Sequence, residues 1–512
     1  MTNLFQKGIQ AFQAGQIEEA LTCFRTLARQ EPRNLSAWNA LGNILGHTGD
    51  AAGAVAAYRH ALAINAAVAE IHYNLAGQLR GLGDPDGAEK HYREAIRHKP
   101  QWPDAHNNLG SLLLDRKRWD DAADAFQQAI ALNAGYAEAW NNLGVCCYEK
   151  GDWSGATHCY QRAVMLNPRY VDAWVNGAWN QFAQGDAAGA IACYRQALSI
   201  DPAHAQAENA LGLAMLSRGE WTPEAWKHYE ARWKLLPVAA VPHCPFPLWE
   251  GQPLAGKSLL LWSEQGHGDN LMMFRYADIL AEQGARVTVQ IVAPLLELCR
   301  RHHDRISVVE VPAGPFDYQC SMMGLLRALH MVPGAIAAPL AYLQPRSDPR
   351  PPSLSPGLRH VGVVWAGNAN HVNDTNRSLS HFRMLAPLLA IPGLAFHSLQ
   401  KGGREDECRE FGVPQPAKSF KDFDDTAAFV QHLDLVITVD TSVVHLAGAL
   451  GKPTWLLLPF VPEWRWYPYG ETTPWYPSAR LFVQKRRGDW DEVIVRLEAA
   501  LRELAARPGA SE

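Results

Sequence analysis

Two short stretches of the C-terminal half combine acids, histidine, hydroxyls and glycine at spacings suited to proton transfer and anion binding. The first is Glu264-Gln-Gly-His-Gly-Asp269-Asn-Leu-Met-Met273, directly after the apolar run Ser258 to Trp262. Its glycines permit a tight turn with close backbone approach. Asp269 then falls at the start of a helix. There it serves either as an ordinary N-cap accepting a backbone N–H or as a general base taking a proton from a hydroxyl. His267, in the same turn, is a second candidate base.

The second stretch is Asp434-Leu-Val-Ile-Thr-Val-Asp440-Thr-Ser-Val-Val-His445. An apolar strand runs into Asp440, Thr441 and Ser442, and a helix follows. First-turn amides, here near Ser442, Val443 and Val444, have no intrahelical partner, and the helix dipole favours a phosphate in front of them. Thr441 adds a hydroxyl, and His445 lies one turn on. Two cations supply the charge that a departing phosphate needs. Arg377 follows the strand and loop Val361 to Asn368, and Lys401 follows Leu394 to Leu399. Asn368, Gln400 and Trp365 are candidates to line the same pocket, each with a structural role as the alternative.

These residues need strand ends to hold them. After Gly256, apolar runs at 258–262, 287–292, 308–311, 361–365, 394–399, 435–439 and 454–458 alternate with amphipathic segments. That pattern predicts parallel sheets covered by helices, with ligands beyond the carboxyl ends of the strands. The proline-rich segment Pro345 to Pro356 divides the region into lobes at 255–348 and 349–512. A second proline-rich bridge, within 237–254, reads as an extended linker. The aromatic stretches Pro459 to Tyr467 and Pro474 to Pro477 either stack on a ligand or seal a lobe. A final amphipathic helix, 489–506, is expected to cross back and brace the first lobe.

The N-terminal 236 residues repeat every 34. Leu41-Gly42, Leu75-Ala76, Leu109-Gly110, Leu143-Gly144, Gly177-Ala178 and Leu211-Gly212 keep that step. So do Trp38, His72, His106, Trp140 and Trp174, and the aromatics Phe24, Tyr58, Tyr92, Phe126, Tyr160 and Tyr194. Glycines at 15, 49, 83, 151 and 185 stand where a helix ends in a left-handed cap. The pattern resembles the tetratricopeptide repeat, an α-solenoid of stacked helix pairs with a concave groove. Asn74, Asn108, Asn142 and Asn176 share one register position and predict a short ladder along the groove. Asparagine offers a donor and an acceptor to a peptide unit; simple solvation is the alternative. The array resembles the asparagine ladder of the O-linked N-acetylglucosamine transferase repeat domain.

Composition narrows the field. The chain has 512 residues, 47% of them apolar, and a formal charge of −5. It lacks the basic excess expected for nucleic-acid binding. No apolar run is long enough to span a membrane, and the N-terminus does not read as a signal peptide, so a cytoplasmic location is expected. No Walker loop appears, and no His/Cys cluster has metal-ligand spacing in sequence. Asp422-Phe-Asp424 reads as capping and solvated.

The two C-terminal motifs resemble those of family 9 glycosyltransferases, which include the lipopolysaccharide heptosyltransferases. The resemblance implies a GT-B architecture of two Rossmann-like lobes, with the first on the acceptor side and the second on the nucleotide-sugar side. It implies inverting, metal-independent transfer from a nucleotide-sugar co-substrate without a further cofactor. Asp269 or His267 would act as base, and Asp440, Thr441, Ser442, Val443, His445, Arg377, Lys401, Gln400 and Asn368 would hold the donor. Flagellin-type protein O-glycosyltransferases are similar in organisation, so a protein Ser or Thr held by Asn74, Asn108, Asn142 and Asn176 is the expected acceptor. A lipopolysaccharide or polysaccharide transferase, and a non-catalytic repeat scaffold, are the alternatives.

Overall fold

Small residues opposite aromatic ones build the repeats. A Cβ on Gly42 would lie 2.5 Å from the Tyr58 ring, and one on Gly110 or Gly144 would lie 2.7 Å from Phe126 or Tyr160. The glycine therefore sets how closely two antiparallel helices approach. Asp50, Asp84 and Asp152 cap the second helix of their pairs by accepting from Gly53, Gly87 and Gly155 N–H groups, the usual service of an aspartate there. The Trp/His register position has its own logic. The ring nitrogens of Trp38, His72, His106, Trp140 and Trp174 lie 2.9–3.1 Å from the carbonyls of Pro32, Ala66, Pro100, Ala134 and Pro168. Each ring thus ties its helix to the preceding turn.

The computed structural model describes residues 2–237, 244–264, 266–301, 305–337, 339–348, 351, 354–371, 373–466 and 470–507. Part of the expected linker (238–243), Gln265 of the first motif and Tyr467 of the aromatic stretch lie outside these. The chain forms two units, one of residues 1–184 with 192–202, the other of 185–191 with 203–512. In the first, one continuous core runs from Ala11 to Cys159.

Gly15, Gly49, Gly83, Gly151, Gly185 and Gly219 all take positive φ, and Lys117 takes φ +57° at the same register position. A side chain there costs about 1–2 kcal/mol, partly offset in glycine by its greater loss of chain entropy. Lys117→Gly is therefore expected to raise the unfolding free energy by about 1 kcal/mol, read from the urea midpoint. An unchanged or lower midpoint would contradict this.

In the second unit, β1 (Ser258–Trp262), β2 (Arg286–Gln290), β3 (Ile306–Val309) and β4 (Tyr318–Ser321) form one parallel sheet in the order β3-β2-β1-β4. A second parallel sheet contains β5 (Arg359–Val364), β6 (Leu394–Ser398), β7 (Leu435–Val439), β8 (Thr454–Leu458) and β9 (Ala479–Val483), in the order β6-β5-β7-β8-β9. The architecture is an α-solenoid followed by an α/β region of two parallel sheets. Sequence periodicity misses β4 and β9. Both lie at the ends of their sheets, and their polar positions (Gln319, Arg480) break the apolar run.

Three expectations change. The last repeat pair, Ala205–Ser217 with Pro223–Tyr229, groups with the α/β region. There the Trp226 indole donates to Met331 O at 2.9 Å, and Trp221, Trp226, Tyr229, Trp464 and Trp475 form one ring cluster with centroids 5.4–6.4 Å apart. The final helix, Trp490–Ala506, stays with the second sheet, its buried Val493, Leu497 and Leu501 sharing one core with Val361 and Leu435. Asp422 does cap the Phe423–Val430 helix. Asp424, however, is buried and ion-paired to Arg301 at 2.6 Å, so it joins the lobes and is not solvated.

Candidate functional site

The His267–Glu282 helix starts just after β1, and the Ser442–Ala449 helix starts just after β7. Their first turns abut. A Cβ on Gly268 would meet the His445 ring at 2.5 Å and Ser442 Cα at 3.3 Å, so glycine is what allows the two motifs to touch. Gly266 is the cap residue of the first helix. Asp269 lies three positions on, and its Oδ2 accepts from the Gly266 N–H at 3.3 Å. Asp269 is thus not the N-cap itself; it reaches back in the manner of a capping box.

Its other oxygen meets a residue that motif spacing does not single out. Arg465 Nη2 lies 2.7 Å from Asp269 Oδ1, and Arg465 Nη1 lies 2.9 Å from Glu463. Burial raises the Asp269 carboxyl above its ordinary value, and Arg465 draws it partly back. Asp440 is 5% exposed and belongs to the same group. Burial and the nearby Glu463 push it up to about 7, against the pull of Arg465 and Arg377. The Arg465 guanidinium is itself buried, and Asp269, Glu463 and Asp440 hold it charged. Arg377, placed across Gly367 and 3.4 Å from Asp374, supplies a second cation. His371, on the same loop, is lowered by desolvation and by Arg377, with Glu463 and Asp269 acting oppositely.

Buried polar atoms without hydrogen-bond partners concentrate here. Asp269 Oδ1 (its ion pair aside), Asn270 Oδ1 and Arg465 Nε all belong to this set, while the Trp466 indole is directed at the Asp440 carboxyl. Such atoms are scarce in folded proteins, and a cluster of them marks a place for a ligand or water. The rim is open: Gly266, His267, Asn368 and His371 are exposed, and Thr441, Ser442 and Val443 are half-buried.

Several expected ligand residues are otherwise engaged. His445 is buried, its Nδ1 2.8 Å from the Tyr476 hydroxyl and its ring stacked on Trp466. Burial holds it well below its ordinary value, so it is neutral, with Nδ1 toward Tyr476 and the Nε2 edge toward Gly268. Gln400 spends its amide on Trp365 N, Ala366 N, Ala366 O and Lys401 O, clipping β5 to β6. Lys401 donates to the carbonyls of Ala417 and Phe420. Thr441 accepts from Val443 N, and Val444 N donates to Thr441 O, so the cap residue uses two of the first-turn amides. Asn368 accepts from Asn370 N in an exposed turn. His267 lies at the rim, its ring 5.3 Å from Phe423. Trp464, Trp466, Trp475 and Tyr476 are buried, so the aromatic stretches seal the lobe while delivering Arg465.

The repeat asparagines are also tied. Asn74, Asn108, Asn142 and Asn176 each donate to the preceding repeat, to Asn43, Tyr73, Asn107 and Asn141 respectively. One N–H of each serves repeat stacking and is not free for a peptide.

The shift at Asp440 predicts a pH effect. Its carboxyl is raised in the folded state, so stability present below about pH 4 is lost as pH rises toward 7. Asp440→Asn removes that loss. Relative to wild type, the variant should gain on the order of a few kcal/mol between pH 4 and pH 8, measured by urea unfolding at each pH. A pH-independent difference would mean that Asp440 ionises normally.

The N-terminal part consists of tetratricopeptide repeats. Profiles described as Tetratricopeptide repeat match residues 5–69, 73–137 and 137–170, and one described as TPR repeat matches 181–219. Protein FlbA of Caulobacter vibrioides is 31% identical over 321 residues, covering 55% of this chain and 53% of its own length. The chain thus spans about half the length of this curated relative. Among solved structures, a tetratricopeptide repeat protein from Parabacteroides merdae is 19% identical with a TM-score of 0.40, covering 47% of this chain and 95% of its own. YrrB, a TPR protein with an unusual peptide-binding site, is 21% identical with a TM-score of 0.33, covering 36% of this chain and 96% of its own. No helix among the described residues is long and apolar enough to cross a membrane.

Proposed function

We infer that this protein transfers a sugar from a nucleotide-sugar donor to a Ser or Thr hydroxyl of a protein acceptor bound by its repeats. The observation that carries this reading is the set of unpartnered buried polar atoms at Asp269, Asn270 and Arg465, where two helix N-termini meet. Asp269, raised by burial, takes the hydroxyl proton as that oxygen attacks the sugar carbon from the face opposite the phosphate. The carbon–oxygen bond to phosphate breaks, its electron pair stays on the phosphate, and the sugar carbon inverts. Arg377, with the Ser442 end of the helix after β7, offsets the growing negative charge. Tetratricopeptide repeats in the same chain raise the acceptor's local concentration. Flagellin is an acceptor by resemblance only.

A second reading, a protein-binding scaffold without turnover, draws on one observation: Asp269 is already ion-paired to Arg465. Incubating the full chain with a panel of nucleotide sugars separates the two. The transferase reading expects nucleotide release with every productive donor, and a mass increment on a co-incubated acceptor protein. No release from any donor would overturn it and leave the scaffold.

A further inference from the structure

The third repeat departs from its neighbours at two positions. Its second helix, Pro85–His98, carries His91 where the others have Cys23, Ala57, Ala125, Cys159 and Cys193. It ends in His98 where others have Ile64, Leu132, Leu166 and Ile200. His72, on the Ala69–Gly81 helix, faces both. Spacing within one segment does not reveal this group, because the fold draws it from two helices.

One ligand atom each from His72, Glu94 and His98 lies within 4.8 Å of the other two. His98 Nε2 is 3.7 Å from Glu94 Oε2, and the His72 and His98 rings stack at 5.8 Å. His91 Nδ1 is 2.9 Å from His72 Nδ1. Tautomers follow from the partners. His72 Nε2 lies 3.0 Å from Ala66 O. A carbonyl can only accept, so the proton sits on Nε2 and the lone pair on Nδ1. A ring whose far nitrogen donates to a backbone carbonyl is held as metal-bound histidines usually are.

A cation already covers part of the group. Arg97 Nη2 lies 2.7 Å from Glu94 Oε2 and 2.8 Å from His98 Nε2. Its side chain is 64% exposed, so it can leave without disturbing the core.

We propose that His72, Glu94 and His98 bind a divalent transition cation of the zinc type. Two imidazoles and one carboxylate suit that ion's preference for nitrogen and oxygen ligands and leave its fourth position to water. The ion displaces Arg97 from Glu94 and His98, and the His91 proton from His72 Nδ1. It ties the two helices of the third repeat together.

The test titrates Zn2+ into the chelator-stripped full chain against a chromogenic chelator, with thermal melts alongside. One tight equivalent and a higher Tm with Zn2+ are expected. E94Q/H98Q should bind at least about tenfold more weakly, since even the loss of an outer partner costs that much, and its Tm should ignore the ion. Arg97→Ala should bind more tightly than wild type, a gain that a purely structural histidine cluster would not show. The chain has twenty histidines, so wild-type uptake retained in E94Q/H98Q would mean adventitious binding elsewhere and would overturn the proposal. Absence of uptake in both wild type and Arg97→Ala would overturn it equally.

Discussion

Asp269→Asn is expected to lower the rate of sugar transfer by about 10²- to 10⁴-fold, the usual contribution of a general base, while leaving donor affinity within a few-fold of wild type. Asparagine keeps the size of the side chain and an oxygen for the Gly266 N–H, so the first turn of the His267–Glu282 helix survives. What it loses is a carboxylate able to accept a proton. The environment favours that role: burial raises the carboxyl, Arg465 keeps it ionisable, and Oδ1 has no hydrogen-bond donor of good geometry. Nucleotide release and donor binding should be measured separately, because only the first should fall. His267→Ala, at the exposed rim, should be mild in the same assay. If Asp269→Asn kept full activity and His267→Ala lost it, the base assignment would pass to the histidine.

The second large effect is at Arg465. Replacing it with Met leaves Asp269, Asp440 and the half-buried Glu463 with one guanidinium fewer. Removing one partner of a buried charge group typically costs about 3–5 kcal/mol. Arg465→Met should therefore lower the unfolding free energy by about that amount near pH 7. The loss should shrink below pH 5, where Asp440, pushed up to about 7 by burial, is neutral in the fold and needs the cation less. Urea unfolding at pH 5 and pH 7.5 reads both quantities. A loss under about 1 kcal/mol at pH 7.5, or one no smaller at pH 5, would mean that the carboxylates are solvated and need no cation.

The repeats were the most legible part of the chain, because a 34-residue period places glycine, aromatic and capping residues at fixed offsets that physics then forces into contact. Tyr58 against Gly42 is readable without coordinates, whereas the helix cap at Asp50 emerges only in the structure. The motifs of the α/β region were legible in position and less so in direction. Residues at strand ends do meet at one place, as Asp269, Asp440 and Arg377 show. His445, Gln400 and Lys401 occupy the expected positions, yet their side chains turn toward Tyr476, Ala366 and Ala417. Spacing gives a residue's station along a strand or helix and not the partner that its rotamer finds. Arg465 escaped notice for a related reason. It sits in an aperiodic loop among tryptophans, and its role arises only when that loop folds back on the His267–Glu282 helix.

The claim on which the account rests is that this charged pocket binds a diphosphate-linked sugar. Calorimetric titration of the full chain with a panel of nucleotide sugars tests it most directly, with Arg377→Gln run in parallel. The account predicts saturable binding of at least one donor by wild type and at least about a tenfold loss in the variant, as fits removal of a charged hydrogen-bonding partner. No binding of any donor, or equal binding by both proteins, would contradict it.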